Sequence, residues 1–377
     1  VSATIRAIGT AVPPRTLDQD GAMRLFQAQP GLGRLGERLV GAAFGASAVE
    51  RRHTVVEDLH EDHRPGAFVG TDGVITSPST GFRNDRYREL AIPLFVAAAR
   101  DALAAADMTA DQVTHVVTVS CTGFTQPGPD LAVAQQLGMR PGVFRHHIGF
   151  MGCYAAFPAL RTAAAFCEAD PDAVVLVVCA ELCTLHVRAS SDPDQIVANS
   201  VFADGAAAAV VVPDLPSARF ADPEQSDLRP GLRIDAFATT VIPEGADDMA
   251  WNIGDEGFEM VLSTAVPRLI EQHVAEAVAP VLAAIEIGSA AEVPLWAVHP
   301  GGRAILDRVE EELALPTDAV TASRGVLREY GNMSSATVLF VLERILRNRP
   351  ADGTRVVALA FGPGLTVESA ALEVVRA

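Results

Sequence analysis

The chain has 377 residues, 49% hydrophobic and 20% charged, with a net charge of −18; this fits a compact globular protein of two domains or one large duplicated unit. The acidic surplus repels nucleic acid and anionic lipid, and no apolar run reaches membrane-spanning length. Five cysteines match no zinc spacing and are too few for a disulfide framework, and the opening VSATIRAIGTAVPP lacks the plan of a signal peptide, so a reducing cytoplasmic location without metal is expected.

Residues 1–90 read as irregular, with Pro13-Pro14, a helical stretch over 34–43 and a loop-rich GTDGVITSPSTGFRND. LAIPLFVAAARDALAAADM has helical spacing and leads into a strand, VTHVVTVS, over 113–120. The loop CTGFTQPGPD and a short helix LAVAQQLG then precede the stretch 148–170, IGFMGCYAAFPALRTAAAFCEAD. Gly152 permits a sharp turn, and the following residues read as a buried helix with Cys153 in its first turn. Free backbone N–H groups and the positive helix end would favour a thiolate there and could hold an oxyanion. Taken alone, the stretch also fits a cysteine that merely packs. Cys167 and Cys179 are expected in the core, whereas Cys121 and Cys183 stay open.

Two strands, AVVLVVCAE (173–181) and GAAAAVVVP (205–213), are continuously apolar, as in a layered α/β protein covered on both faces. A proline-rich acidic break, PDLPSARFADPEQSDLRPG, divides the chain into halves 1–225 and 226–377. The second half repeats the order of elements. A strand over 293–299 passes through Pro300-Gly301-Gly302 to the helix RAILDRVEEELAL. A second helix begins at GNMSSATVLFVLERIL, and strands over 355–361 and 365–374 finish the chain. Asn332 thus matches Cys153, each following a glycine at the start of a buried helix.

MGCYAAF around Cys153, VFADGAAAAVV around Phe202, AVHPGGRAIL around His299, YGNMSSATVLFVLERI around Asn332 and FGPGLTVES occur in an order that resembles the type III polyketide synthases, the chalcone-synthase-like family. The resemblance implies an α/β, thiolase-like, five-layered αβαβα fold of two pseudo-duplicated halves, a homodimer, and coenzyme A thioesters as substrates with no cofactor. Cys153 would carry the acyl starter, His299 would pair with the thiolate, and Asn332 with His299 would hold the enolate from malonyl-CoA. Outside such motifs, a lone histidine after a strand is commonly a core residue and an asparagine after glycine a helix cap. Phe202 matches a phenylalanine that guards the cavity, Ser334 lies in the asparagine motif, and Gly362-Pro363-Gly364 resembles a loop shaping the cyclisation cavity. Asp204-Gly205 reads as turn chemistry.

Cavity positions depart from the plant pattern: His186 replaces threonine, Trp251 glycine, Met260 a second phenylalanine, and Gln126 a methionine that reaches across the dimer. SPSTGFRND, SCTGF with Cys121 and Thr122, and AELCTLH resemble bacterial members, many of which use aliphatic acyl starters and make alkylpyrones or alkylresorcinols; a short pyrone, a phloroglucinol or a polyhydroxynaphthalene stays open. The plant phosphate-gripping positions fall on Leu39, Ala42 and Ala46, leaving Arg51 and Arg52, or Arg303 beside Gly301 and Gly302, as substitutes; a carrier-protein donor stays open. The rival readings are a ketoacyl-ACP synthase III, which stops after one condensation, and a catalytically silent partner subunit. A papain-like protease shares the residue types but not the motif contexts.

Overall fold

The computed structural model describes residues 3–60, 65–214 and 230–376, so the expected division at 225/226 lies outside the described residues. The first half contributes β1 (Ala3–Ala11), β2 (Arg15–Asp18), α1 (Gln19–Gln27), α2 (Gly33–Ala46), β3 (Arg51–Thr54), α3 (Thr80–Ala105) and β4 (His115–Ser120). It continues with α4 (Pro129–Leu137), β5 (Phe144–Gly149), α5 (Ala156–Ala169), β6 (Val175–Leu182), α6 (Pro193–Val201) and β7 (Asp204–Pro213). The second half contributes β8 (Gly231–Val241), β9 (Met249–Gly254), β10 (Gly257–Leu262), α7 (Val266–Ala284) and β11 (Leu295–Val298). After these come α8 (Arg303–Glu312), α9 (Thr321–Tyr330), α10 (Thr337–Arg347), β12 (Arg355–Gly362) and β13 (Thr366–Val375).

Among the described residues, nine strands run as one sheet in the order β11-β12-β13-β8-β1-β7-β6-β4-β5. β8 and β1 join the halves through a short antiparallel register, Ala3 to Ile5 against Ile234 to Leu232. On either side of this seam the pattern repeats: β7 and β6 beyond β1, and β13 and β12 beyond β8, are antiparallel, followed by parallel β4 or β11.

Alternate residues of a strand face opposite ways, and this separates three cores. Val175, Val177, Cys179, Ala207 and Ala209 join Val356, Ala358, Ala360, Ala370 and Leu372 around α5 and α10. Their neighbours Leu176, Val178, Ala208 and Val210 face outward onto α3. Val357, Leu359, Phe361 and Ala371 face α7 and α8. Two helices between two sheet halves, each half covered outside by further helices, make an α/β thiolase-like arrangement of five layers. Among the described residues no helix is long and apolar enough to cross a membrane.

The strands expected over 113–120, 173–181, 205–213, 293–299, 355–361 and 365–374 all form. Three expectations are corrected. The expected helix over 34–43 forms as α2, but the described residues of 1–90 are otherwise more regular than expected, with β1, β2, β3, α1, a 3₁₀ turn Glu57–Leu59 and the start of α3; β1 escaped notice because it is buried on both faces and shows no alternation. Cys153 lies in a turn ahead of α5, which begins only at Ala156. The GNMSS helix starts with one 3₁₀ turn, Ser334–Ala336, before α10.

Candidate active site

Cys153 and Asn332 each follow a glycine in the left-handed region, Gly152 at φ 81° and Gly331 at φ 71°. A Cβ on Gly152 would lie 2.4 Å from Pro363 Cδ, and one on Gly331 would lie 2.8 Å from the Val201 carbonyl oxygen. Both turns therefore demand glycine for conformation and for space. They deliver Cys153 and Asn332 to one cavity, which His299 joins from the end of β11. Cys121, Thr122, Cys183, Phe202, Trp251, Met260 and Ser334 also line it, as do Gly301 and Pro363.

His299 is buried, and neither ring nitrogen has a hydrogen-bond partner. Buried polar atoms are rarely left so, and an orphan pair facing a cavity is what an incoming ligand would satisfy. Burial holds the imidazole down to about 3. Cys153 keeps some surface open to the cavity but is otherwise walled in, and burial pushes its thiol up to about 11, with the Glu181 charge adding to the rise. Hydrogen bonds from Ser334 and Asn332 pull the other way. Desolvation favours the uncharged form of both groups, and the donors from Ser334 and Asn332 oppose it at the thiol. Asn332 Oδ1 accepts from the Ser334 N–H at 2.9 Å, which orients the amide and leaves Nδ2 as a donor.

Glu181, at the end of β6, was not singled out as a site residue. Its buried carboxylate accepts from Cys121 N at 2.9 Å, Thr122 Oγ1 at 2.8 Å, Ser120 Oγ at 3.2 Å and Ser335 Oγ. Burial raises its pKa. A carboxylate inside the apolar run VVLVVCAEL was the available signal. Asp204 likewise does more than make a turn: fully buried at the start of β7, it accepts from Val55 N and Thr184 N, both at 2.8 Å. Cys167 and Cys179 lie in the central core.

A second cavity lies behind the first. Phe202, Trp251, Met260 and Cys183 line both and so form the partition; Leu17, Phe26, Leu59, Val187 and Phe258 make its far wall largely apolar. His186 belongs to this second cavity and not to the first. Its Nε2–H donates to the Thr122 carbonyl at 2.8 Å, while Nδ1 accepts from Phe258 N at 3.0 Å, which fixes the tautomer. Trp251 Nε1 donates to the Cys121 carbonyl at 2.7 Å, and Met260 pairs with Trp251 across the β9–β10 hairpin. Each cavity has a volume of about 40 Å³, room for about three waters.

Other expected site residues lie elsewhere. Gln126 is exposed and absent from the cavity lining. Gly362 backs onto the Tyr154 ring, and Gly364 N donates to the Met249 carbonyl at 3.0 Å, so both support the wall behind Pro363. Arg51 is exposed, as is Arg303, which pairs with Asp307 at 3.3 Å beyond Gly302. Arg52 is only 2% exposed: Nη1 and Nη2 donate to backbone carbonyls, Nε has no partner, and the side chain lines the second cavity, so it faces no solvent-borne phosphate. Among the described residues no group is placed to hold a metal ion.

A thiolase-like fold that gathers cysteine, histidine and asparagine on one buried cavity defines a condensing acyltransferase. The sequence profile of the chalcone and stilbene synthases, N-terminal domain, matches residues 1–215, and that of their C-terminal domain matches residues 233–376; the chain belongs to this family. Its chemistry in general is iterative Claisen-type condensation. The structure of PKS-I from the brown alga Ectocarpus siliculosus superposes with a TM-score of 0.89 at 28% identity, covering 100% of this chain and 99% of that one. The C-terminal type III polyketide synthase domain of Steely1 from Dictyostelium gives 0.87 at 25% identity, covering 100% of both chains. A type III pentaketide synthase from Neurospora crassa gives 0.83 at 26%, covering 99% and 100%.

Proposed function

We propose that the protein is a type III polyketide synthase of bacterial type that condenses malonyl-CoA repeatedly onto an acyl starter held on Cys153, then closes a pyrone or resorcinol-type ring. The observation that carries this reading is the convergence of Cys153, the unpartnered His299 nitrogens and the Asn332 amide on one cavity. Cys153 Sγ attacks the starter thioester as His299 takes the thiol proton, and coenzyme A leaves with that proton. Malonyl-CoA then loses CO₂; Asn332 Nδ2 and a His299 N–H hold the enolate oxygen. The enolate carbon attacks the acyl carbonyl, a C–C bond forms, and the Cys153 thiolate departs. The lengthened chain, now on coenzyme A, returns to Cys153 for the next round.

The apolar second cavity favours an aliphatic starter over a coumaroyl one. Gly301 lines the cavity and Arg303 is exposed two residues on, which supports thioester entry beside α8 with Arg303 near the phosphates. We read the chain as a cytoplasmic homodimer of halves 1–225 and 226–377, with the exposed edge strand β5, where Phe144 is 64% exposed, covered by the second copy.

The test is mass spectrometry of products from labelled malonyl-CoA with acyl-CoA starters from acetyl to long-chain, repeated with carrier-bound acyl groups. Several labelled units in one pyrone or resorcinol are expected, and none with Cys153→Ala. A single condensation would favour the ketoacyl synthase reading, and no acyl adduct on Cys153 from any donor would favour a silent partner subunit.

A further inference from the structure

Arg52 is a buried guanidinium; among the described residues no carboxylate is hydrogen-bonded to it, and the Asp204 charge acts on it only through space. Nη1 donates to the carbonyls of Asn199 at 2.7 Å and Phe202 at 3.0 Å; Nη2 donates to the Ser200 carbonyl at 2.9 Å and to Gln19 Oε1. Gln19 Nε2 donates to the same Ser200 carbonyl at 2.9 Å. Together they hold the last carbonyls of α6, which a helix end leaves without intrahelical partners. Burying a cation this way is costly, and a planar fork with donors on two separate nitrogens spans carbonyls that the single nitrogen of a lysine ammonium does not reach in the same geometry.

The clamped segment is the one that carries the site. Phe202, immediately after α6, stands in the partition between the cavities. Its neighbours pair with the asparagine turn: Asn332 N donates to the Val201 carbonyl at 2.8 Å, and Ala203 N donates to the Asn332 carbonyl at 2.9 Å. From the other side, a Cβ on Gly331 would lie 3.5 Å from Arg52 Cβ, so the Arg52 stem packs beneath this turn.

We propose that Arg52 is a positioning residue that sets Phe202 and Asn332 through the end of α6. This rests on the reading that Asn332 holds the enolate. Starter loading needs Cys153 and His299, whose backbones the clamp does not touch; decarboxylation needs Asn332 in place. Arg52→Lys keeps the charge and loses the fork, and Gln19→Leu removes one partner of the clamp. Two rates are compared in the full chain: acylation of Cys153 by hexanoyl-CoA, read by intact mass, and CO₂ release from labelled malonyl-CoA. Arg52→Lys is expected to slow CO₂ release about tenfold or more, the scale of a displaced catalytic group, while loading stays within about twofold. Gln19→Leu should move the same ratio in the same direction by less, and it decides the matter if Arg52→Lys does not fold. Parallel loss of both rates, or an unchanged ratio, would overturn the proposal. Wild-type protein that loads Cys153 but releases no CO₂ would instead overturn the role of Asn332, and the proposal with it.

Discussion

Burial sets the protonation of Cys153 and His299 before any substrate arrives. The thiol stands near 11 and the imidazole near 3, each displaced chiefly by desolvation. Burial thus favours the uncharged form of both groups, and in the mechanism proposed above the proton moves as the thiol attacks the thioester. Alkylation of Cys153 by iodoacetamide, followed by peptide mass spectrometry, is therefore expected to rise with pH toward about 11. A plateau near neutrality would instead reveal a resident thiolate–imidazole pair. The motif around Cys153 marked the proposed nucleophile from sequence, but its proton affinity depends on burial and on Glu181.

Among the elements, the β9–β10 hairpin supplies Trp251 and Met260 to the partition between the two cavities. Trp251 Nε1 ties it to the Cys121 carbonyl, and Phe258 N ties it to His186, whose ring stacks on Phe258 at 4.1 Å. Trp251→Ala removes one tie and the largest side chain of the partition. Its products, analysed by liquid chromatography and mass spectrometry, should carry a longer starter or at least one more ketide unit than wild type; an unchanged spectrum would place the limit elsewhere. Comparison by motif marked Trp251 and Met260 as departures, yet the hairpin itself was not legible, because its strands are half-exposed without a clean alternation and the groups that anchor them, Cys121 and His186, lie far away in the chain.

Over the whole molecule, α5 and α10 pack against both sheet halves, and β1 and β8 make the sheet continuous. Neither half covers its inner face without the other. Unfolding should accordingly follow one transition, coincident by far-ultraviolet circular dichroism and by tryptophan fluorescence, which reports on the second half. Leu339, fully buried in α10, tests this. Leu339→Ala should cost about 3 kcal/mol and lower both signals together; separate transitions would mean that the halves fold independently.

The sequence by itself determined the strands that are apolar on both faces, the repeated order of elements, and the glycine turns that present Cys153 and Asn332. These are local properties of side-chain type and backbone freedom, readable within a few residues. Only the tertiary structure decided that Arg52 is buried rather than facing a phosphate, that Glu181 sits behind the thiols, and that His186 lines a second cavity. It also decided that burial favours the uncharged thiol and imidazole. Each of these follows from desolvation and from contacts between residues far apart in the chain, and neither is written into a local motif.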